Sequence, residues 1–181
     1  MSADDQMRWD AVYTDRPPTG ETPSFPTDFE AGEILFPTKG RALDIACGRG
    51  GASLWLARRG LQVRGVDVSK VAVEQARTSA AQCGLTERAQ FDVVDLDHGL
   101  PPGPAVDVVI CHRFRAPHLY RAMSERLAAG GVLAVSVLSE CDAAAGRYRA
   151  APGELLAAFD HLHVLSFGEA RGIAWLIARK D

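Results

Sequence analysis

The chain has 181 residues, 47% of them hydrophobic and 24% charged, the balance of one globular domain large enough to bury a full core. A net charge of −3 gives no electrostatic footprint for nucleic acid, and no apolar run approaches the roughly 18 residues of a membrane span. The acidic, amphipathic start MSADDQMRWDAVY is unlike a basic and apolar secretory leader, so a cytosolic chain is expected.

In chain order, residues 6–13 suit a short helix with Trp9 and Tyr13 on one face at i, i+4 spacing. Residues 16–26, rich in Pro, Thr and Gly, read as a loop. Residues 28–36 are expected as a second short helix stopped by Pro37. From there strands and helices alternate. Strands are expected near 41–46, 62–67, 89–94, 106–111 and 132–138, and helices near 51–59, 70–83, 118–128 and 153–159. Ser69 is a suitable N-cap for the second of these helices and Gly84 a suitable stop. VDVVIC and VLAVSVL are near-continuous apolar runs, as strands buried on both faces should be. The alternation argues a parallel sheet with helices on both sides, an α/β doubly wound fold. HLHVLSFGEA and GIAWLIARK lie too close for a crossover helix, so an antiparallel hairpin closes the sheet.

The segment ALDIACGRGG reads as a buried strand running into a glycine-rich bend, with SLWLARRG continuing as a helix. Such a bend brings main-chain N–H groups and a helix N-terminus close to a ligand. Asp67 closes the next strand, about twenty residues on, and that pairing is the mark of an adenosine-containing ligand. Cys47, Cys83, Cys111 and Cys141 are scattered without Cys-x-x-C or Cys/His ligand spacing, so no metal is expected. His161 and His163 alternate along a strand, where a shared face follows from strand geometry alone.

Over residues 39–180 the chain resembles class I S-adenosylmethionine-dependent methyltransferases. That resemblance implies a Rossmann-like seven-stranded sheet, parallel except for a C-terminal antiparallel hairpin. The family's first motif appears as Asp44, Ala46, Gly48 and Gly50, with alanine in place of the first glycine. The resemblance implies that the main chain of Ala46, Cys47, Gly48, Arg49 and Gly50 lines the cofactor. Asp67 would accept from both ribose hydroxyls, and Val68 would lie near the adenine. Asp95 and Leu96 match the adenine-edge position, and Cys111 and His112 match the end of the fourth strand, beside methionyl group and substrate. Residues 1–38 would form a helical and loop segment over the cofactor cleft of the 39–181 core, a single domain overall. WDAVY, CHRFRAPHL and PGELLAAF are similar to small bacterial methyltransferases of the tellurite-resistance and thiol-methylating type.

The implied reaction is in-line transfer of a methyl group from S-adenosyl-L-methionine, leaving S-adenosyl-L-homocysteine, to a thiol, chalcogen oxyanion, hydroxyl or amine of a small molecule. Sulfonium chemistry is carried by the cofactor, so the protein aligns and desolvates the reactants. A thiolate or oxyanion acceptor needs no base, whereas a neutral hydroxyl or protonated amine does. His112 is the candidate base, or else an orienting or packing residue. Arg113 and Arg115 are candidates to clamp an anionic acceptor or the cofactor carboxylate, or else surface arginines. Trp9 and Tyr13 either close over the cofactor or anchor the N-terminal helix. Ser139 to Asp142 rim the acceptor pocket or form a plain loop. A nicotinamide-dependent oxidoreductase and a non-catalytic cofactor-binding module are the alternatives. The expected partner is a small-molecule acceptor, not nucleic acid or membrane, with the chain a monomer or homodimer.

Overall fold

In the computed structural model, which describes residues 3–15, 23–29 and 32–181, the chain falls into two units. One joins the residues up to Phe25 with Thr38–Gly103; the other joins Pro26–Pro37 with Pro104–Asp181. The expected N-terminal segment is thus shared out between them. Residues 16–22 of the expected loop and residues 30–31 of the expected second helix lie outside the described residues.

The first unit holds α1 (Ala3–Thr14), β1 (Arg41–Ile45), α2 (Gly51–Arg58), β2 (Gln62–Asp67), α3 (Lys70–Gln82) and β3 (Ala89–Val93). The three strands run parallel in the order β3-β2-β1, with Ile45 opposite Val66 and Asp67 opposite Val93. Residues Ala42 to Ile45 are all buried, as a central strand requires. α3 buries Ala72, Val73, Ala76 and Ala80 along one face, small side chains that let the helix lie close to its neighbours. Ser69 Oγ accepts from the Ala72 N–H at 3.1 Å and caps α3, and Gly84 ends that region at φ +67°.

In the second unit, the helix expected over 28–36 is replaced by two 3-10 turns, Thr27–Phe29 and Gly32–Leu35. Their bonds span three residues: the Phe29 N–H donates to Pro26 O at 3.2 Å, and the Phe36 N–H to Glu33 O at 3.3 Å. Gly32 sits so tightly on Ile177 that any β-carbon there would collide with the Ile177 side chain. That close seat, not helical periodicity, fixes the segment.

The same unit holds β4 (Val106–Cys111), α4 (Tyr120–Arg126), β5 (Leu127–Leu138), α5 (Glu154–Ala158), β6 (His163–Ala170) and β7 (Ile173–Arg179). β4 and β5 are parallel, while β7 runs antiparallel to both β5 and β6. The strand order is β3-β2-β1-β4-β5-β7-β6, and among the described residues the antiparallel pairs are those that β7 makes with β5 and β6. The helix expected over 118–128 begins as a 3-10 turn, Pro117–Leu119, and ends at Arg126. Glycines explain the early stop. Gly130 takes φ +76° and its N–H donates to Lys180 O at 2.8 Å, drawing residues 127–131 into β5. The Lys180 ammonium then donates to the carbonyls of Ser124, Glu125 and Leu127 at 3.1, 3.3 and 2.8 Å, closing the C-terminus of α4.

Candidate functional site

The glycine turn of the first unit is built from main chain. After β1 the backbone takes left-handed conformations at Ala46 (φ +54°), Gly48 (φ +52°) and Gly50 (φ +81°). A β-carbon on Gly50 would lie 2.8 Å from Phe91 and 3.1 Å from Ala76, so only glycine fits between β1 and α2. Ala46 holds an αL position at a cost of roughly 1–2 kcal/mol. The family's alanine-for-glycine exchange therefore leaves the turn intact but strained.

Asp67 is the hub of this turn. The Gly48 N–H donates to its Oδ2 and the Ser69 N–H to its Oδ1, both at 2.9 Å. Burial raises the Asp67 pKa, and the N–H groups of Ser69, Gly48 and Val68 offset part of that rise. A carboxylate offers about four acceptor sites, so some acceptor capacity remains beside these N–H groups.

Asp44 has a different role: it is buried and accepts from Ser53 Oγ at 2.6 Å, fastening α2 to the end of β1. Burial pushes the Cys47 thiol up, helped by the negative charges of Asp44 and Asp67, so it stays protonated. Val68 is buried. Asp95 accepts from the Asp97 N–H at 2.9 Å and caps the short turn Leu96–His98, in which Leu96 is buried. Arg49 is half-buried within the glycine turn.

Helix α1 docks on the same region. Asp10 Oδ1 accepts from Ser69 Oγ at 2.6 Å and from the Val71 N–H at 3.2 Å, and Gln75 Nε2 donates to Tyr13 O at 3.0 Å. A β-carbon on Gly48 would meet the Tyr13 hydroxyl at 2.7 Å, so Tyr13 lies directly over the turn. The Trp9 and Tyr13 rings pack at 6.0 Å.

The second unit carries a cluster made of side chains. Asp28, 5% exposed at its side chain, accepts from His112 Nε2 at 3.0 Å and from both prongs of Arg113, at 2.8 and 2.7 Å. Ser136 Oγ donates to Asp28 at 3.2 Å while accepting from the Arg113 N–H at 3.0 Å. Burial opposes ionisation of Asp28, but the bonds and charges of Arg113 and His112 outweigh it and hold the carboxyl well below the usual range. Arg113 reaches this pose with its backbone at φ +56°.

Arg113 and Arg115 each pair with a carboxylate from a distant segment. Arg115 is held by Glu154 at 2.8 and 2.7 Å, with the Tyr120 hydroxyl also donating to Glu154 at 3.1 Å. Cys111 turns its thiol into its own turn, donating to Phe114 O at 3.3 Å, and its side chain is buried. Among the described residues, no group of His, Cys, Asp or Glu is arranged to hold a metal ion.

A family model described as a methyltransferase domain matches residues 42–131. The chain is 35% identical over 104 residues to methyltransferase GfsG of Streptomyces halstedii, covering 53% of this chain and 37% of that one. It is 31% identical over 128 residues to the ubiquinone biosynthesis O-methyltransferase of Hahella chejuensis, covering 61% and 52%. TehB from Haemophilus influenzae shares the fold at a TM-score of 0.76 and 18% identity, over 96% of this chain and 67% of TehB. The methyltransferase-domain match covers 90 of the 181 residues and supports an S-adenosylmethionine-dependent methyltransferase. The chain spans about a third to a half of the length of the two curated relatives.

The first unit fits the nucleoside that such an enzyme implies: a close main-chain turn, a carboxylate at its hub and a tyrosine above. The residue that sequence reading missed is Asp28. The signal was present in SFPTDFE, a lone carboxylate set between Phe25 and Phe29, since a buried aspartate needs partners.

Proposed function

We propose that this methyltransferase transfers the methyl group of S-adenosylmethionine to a hydroxyl of a small molecule. The observation that carries this reading is the bond between His112 Nε2 and Asp28 Oδ2, 3.0 Å long. With Asp28 held ionised by Arg113, the Nε2 facing it is the donor, and a neutral imidazole in this pose would present Nδ1 as its acceptor. A base prepared in this way serves a neutral hydroxyl, whereas a thiolate or chalcogen oxyanion has no use for it. The name of the Hahella chejuensis relative, an O-methyltransferase, points the same way.

When bound, S-adenosylmethionine supplies a methyl group already activated on sulfur. The main chain of Ala46 to Gly50 would line its methionyl and sugar portions, with Asp67 accepting from the ribose hydroxyls. Asp95 and Leu96 would serve the adenine edge, beside Val68. Tyr13 and Trp9 would cover the nucleoside, and the docking of α1 through Asp10 supports that cover. His112 Nδ1 would take the hydroxyl proton as the oxygen attacks, and Asp28 would stabilise the imidazolium so formed. The same reading takes the enzyme as cytosolic, monomeric or homodimeric, and without a nucleic-acid partner. The net charge of −3 supports that last point, and no helix among the described residues is long and apolar enough to cross a membrane.

The test is a mass-spectrometric methyl-transfer screen over hydroxyls, thiols, amines and chalcogen oxyanions, run with the wild type and His112→Ala. Transfer to a hydroxyl that collapses in the variant is the expected result. Thiol or oxyanion methylation at equal rates in both proteins would refute the reading.

A further inference from the structure

The face of the β5-β7-β6 sheet that carries Ser136 has an uneven relief. Directly opposed residues in antiparallel strands share a face, so Ser136, Trp175 and Gly168 form one row, and Leu138, Ile173 and Ala170 the next. On this face β7 presents Ile173, Trp175 and Ile177, while β6 presents only Ser166, Gly168 and Ala170. The indole of Trp175 leans across Gly168: a β-carbon there would lie 2.7 Å from Cε2, Cζ2 and Nε1.

The missing side-chain volume on β6 leaves a trough of about 410 Å³, bordered by Thr27, Asp28, Phe167, Arg171, Ile173 and Trp175. That size lies within the range of small-molecule sites, roughly 300–1,000 Å³. Two donors along it lack partners among the described residues. Trp175 is 91% buried (9% exposed), yet its indole N–H donates to no described group, and neither does the Arg171 guanidinium. The indole N–H is not among the fully buried donors of the chain and is open to an acceptor from the trough. At the other end the wall is Asp28, the carboxylate that orients His112.

We propose that this trough is the acceptor subsite, and that it takes a planar aryl hydroxyl compound carrying an acidic substituent; the proposal rests on the hydroxyl reading of His112. The ring lies against the Trp175 indole, where offset or edge contacts between aromatic groups are favourable. An acceptor oxygen satisfies the indole N–H, and Arg171 pairs with the acidic group. The hydroxyl lies toward the Asp28 end.

The test titrates the full chain, with S-adenosylhomocysteine present, against 6-hydroxy-2-naphthoate, 2-naphthol and decahydro-2-naphthol. Binding is followed on the Trp175 indole resonance by ¹H–¹⁵N NMR, assigned with Trp175→Phe. The naphthoate should move that resonance and bind about tenfold tighter than naphthol, a difference of one charge-assisted contact. The saturated alcohol should bind weakest. Arg171→Gln should bring the naphthoate down to the naphthol level, and Ala170→Leu, at an exposed strand position, should weaken both by at least about tenfold by filling the trough. A Trp175 resonance that stays fixed at saturation, or full affinity in Ala170→Leu, overturns the subsite. His112-dependent methylation of a hydroxyl compound that leaves Trp175 unmoved also refutes the trough, while leaving the hydroxyl reading standing. Aryl binding at Trp175 with no methylation of any acceptor does the reverse: it sustains the aryl site and refutes methyl transfer.

Discussion

The glycine turn of the first unit and the carboxylate cluster of the second use opposite means to make a polar site. The turn relies on backbone: three left-handed residues bend it tightly, and one aspartate stitches it to the next strand. The cluster relies on side chains, with one buried carboxylate receiving a histidine, an arginine fork and a serine. A main-chain site tolerates many side chains and tends to bind a ligand common to a whole family. A side-chain site can be rewritten by single substitutions, which suits the part of a protein that selects its own acceptor.

The sharpest way to break this contrast is His112→Ala. Turnover should fall by about 10²–10⁴-fold, the usual weight of a positioned base, while S-adenosylhomocysteine affinity measured by calorimetry stays unchanged. Asp67→Ala should do the opposite. It removes a charged acceptor from the turn and should weaken S-adenosylhomocysteine by about 10–100-fold in calorimetry; equal affinity would show that the ribose contact is misassigned.

Asp28→Asn comes next, with an expected loss of about 1–3 kcal/mol in denaturant unfolding, since hydrogen bonds to a charged group are broken. Its pH dependence has a definite sign. Asp28 ionises more readily in the folded chain than in the unfolded one. Its stabilisation is therefore complete above the unfolded carboxyl value near about 3.9 and fades as pH falls below that toward the folded value. Stability curves of wild type and Asp28→Asn should converge in that acid range and stay parallel at neutral pH. The smallest effect is expected from Asp10→Ala, which removes the acceptor of Ser69 Oγ and the Val71 N–H. A loss of about 1 kcal/mol, or roughly 2–4 °C in Tm, would match an ordinary helix-terminus contact.

The same contrast explains what could be read in advance. ALDIACGRGG discloses its turn because the glycines, the strand before them and the helix after them lie within one short stretch. β2, β4 and the hairpin were legible for a similar reason, each being a local apolar run. Asp28 and His112 stand 84 positions apart, and no local pattern joins them. The pairing of Arg113 and Arg115 was hidden for the same reason, because their carboxylates, Asp28 and Glu154, come from segments far along the chain. The helix expected over 28–36 failed where Gly32 had to meet Ile177, a tertiary demand invisible to periodicity. Early termination of α4 belongs to the same class, since Gly130 answers to Lys180, fifty residues later.

Lys180 also offers a practical handle. The chain has only three lysines, Lys39, Lys70 and Lys180. An ammonium that gives all its hydrogens to the carbonyls of Ser124, Glu125 and Leu127 has no electron pair with which to attack an activated ester. Acylation there must wait until the side chain lets go of the end of α4. The ratio of label at Lys180 to label at the other two thus reports how often that cap releases, readable from a tryptic digest.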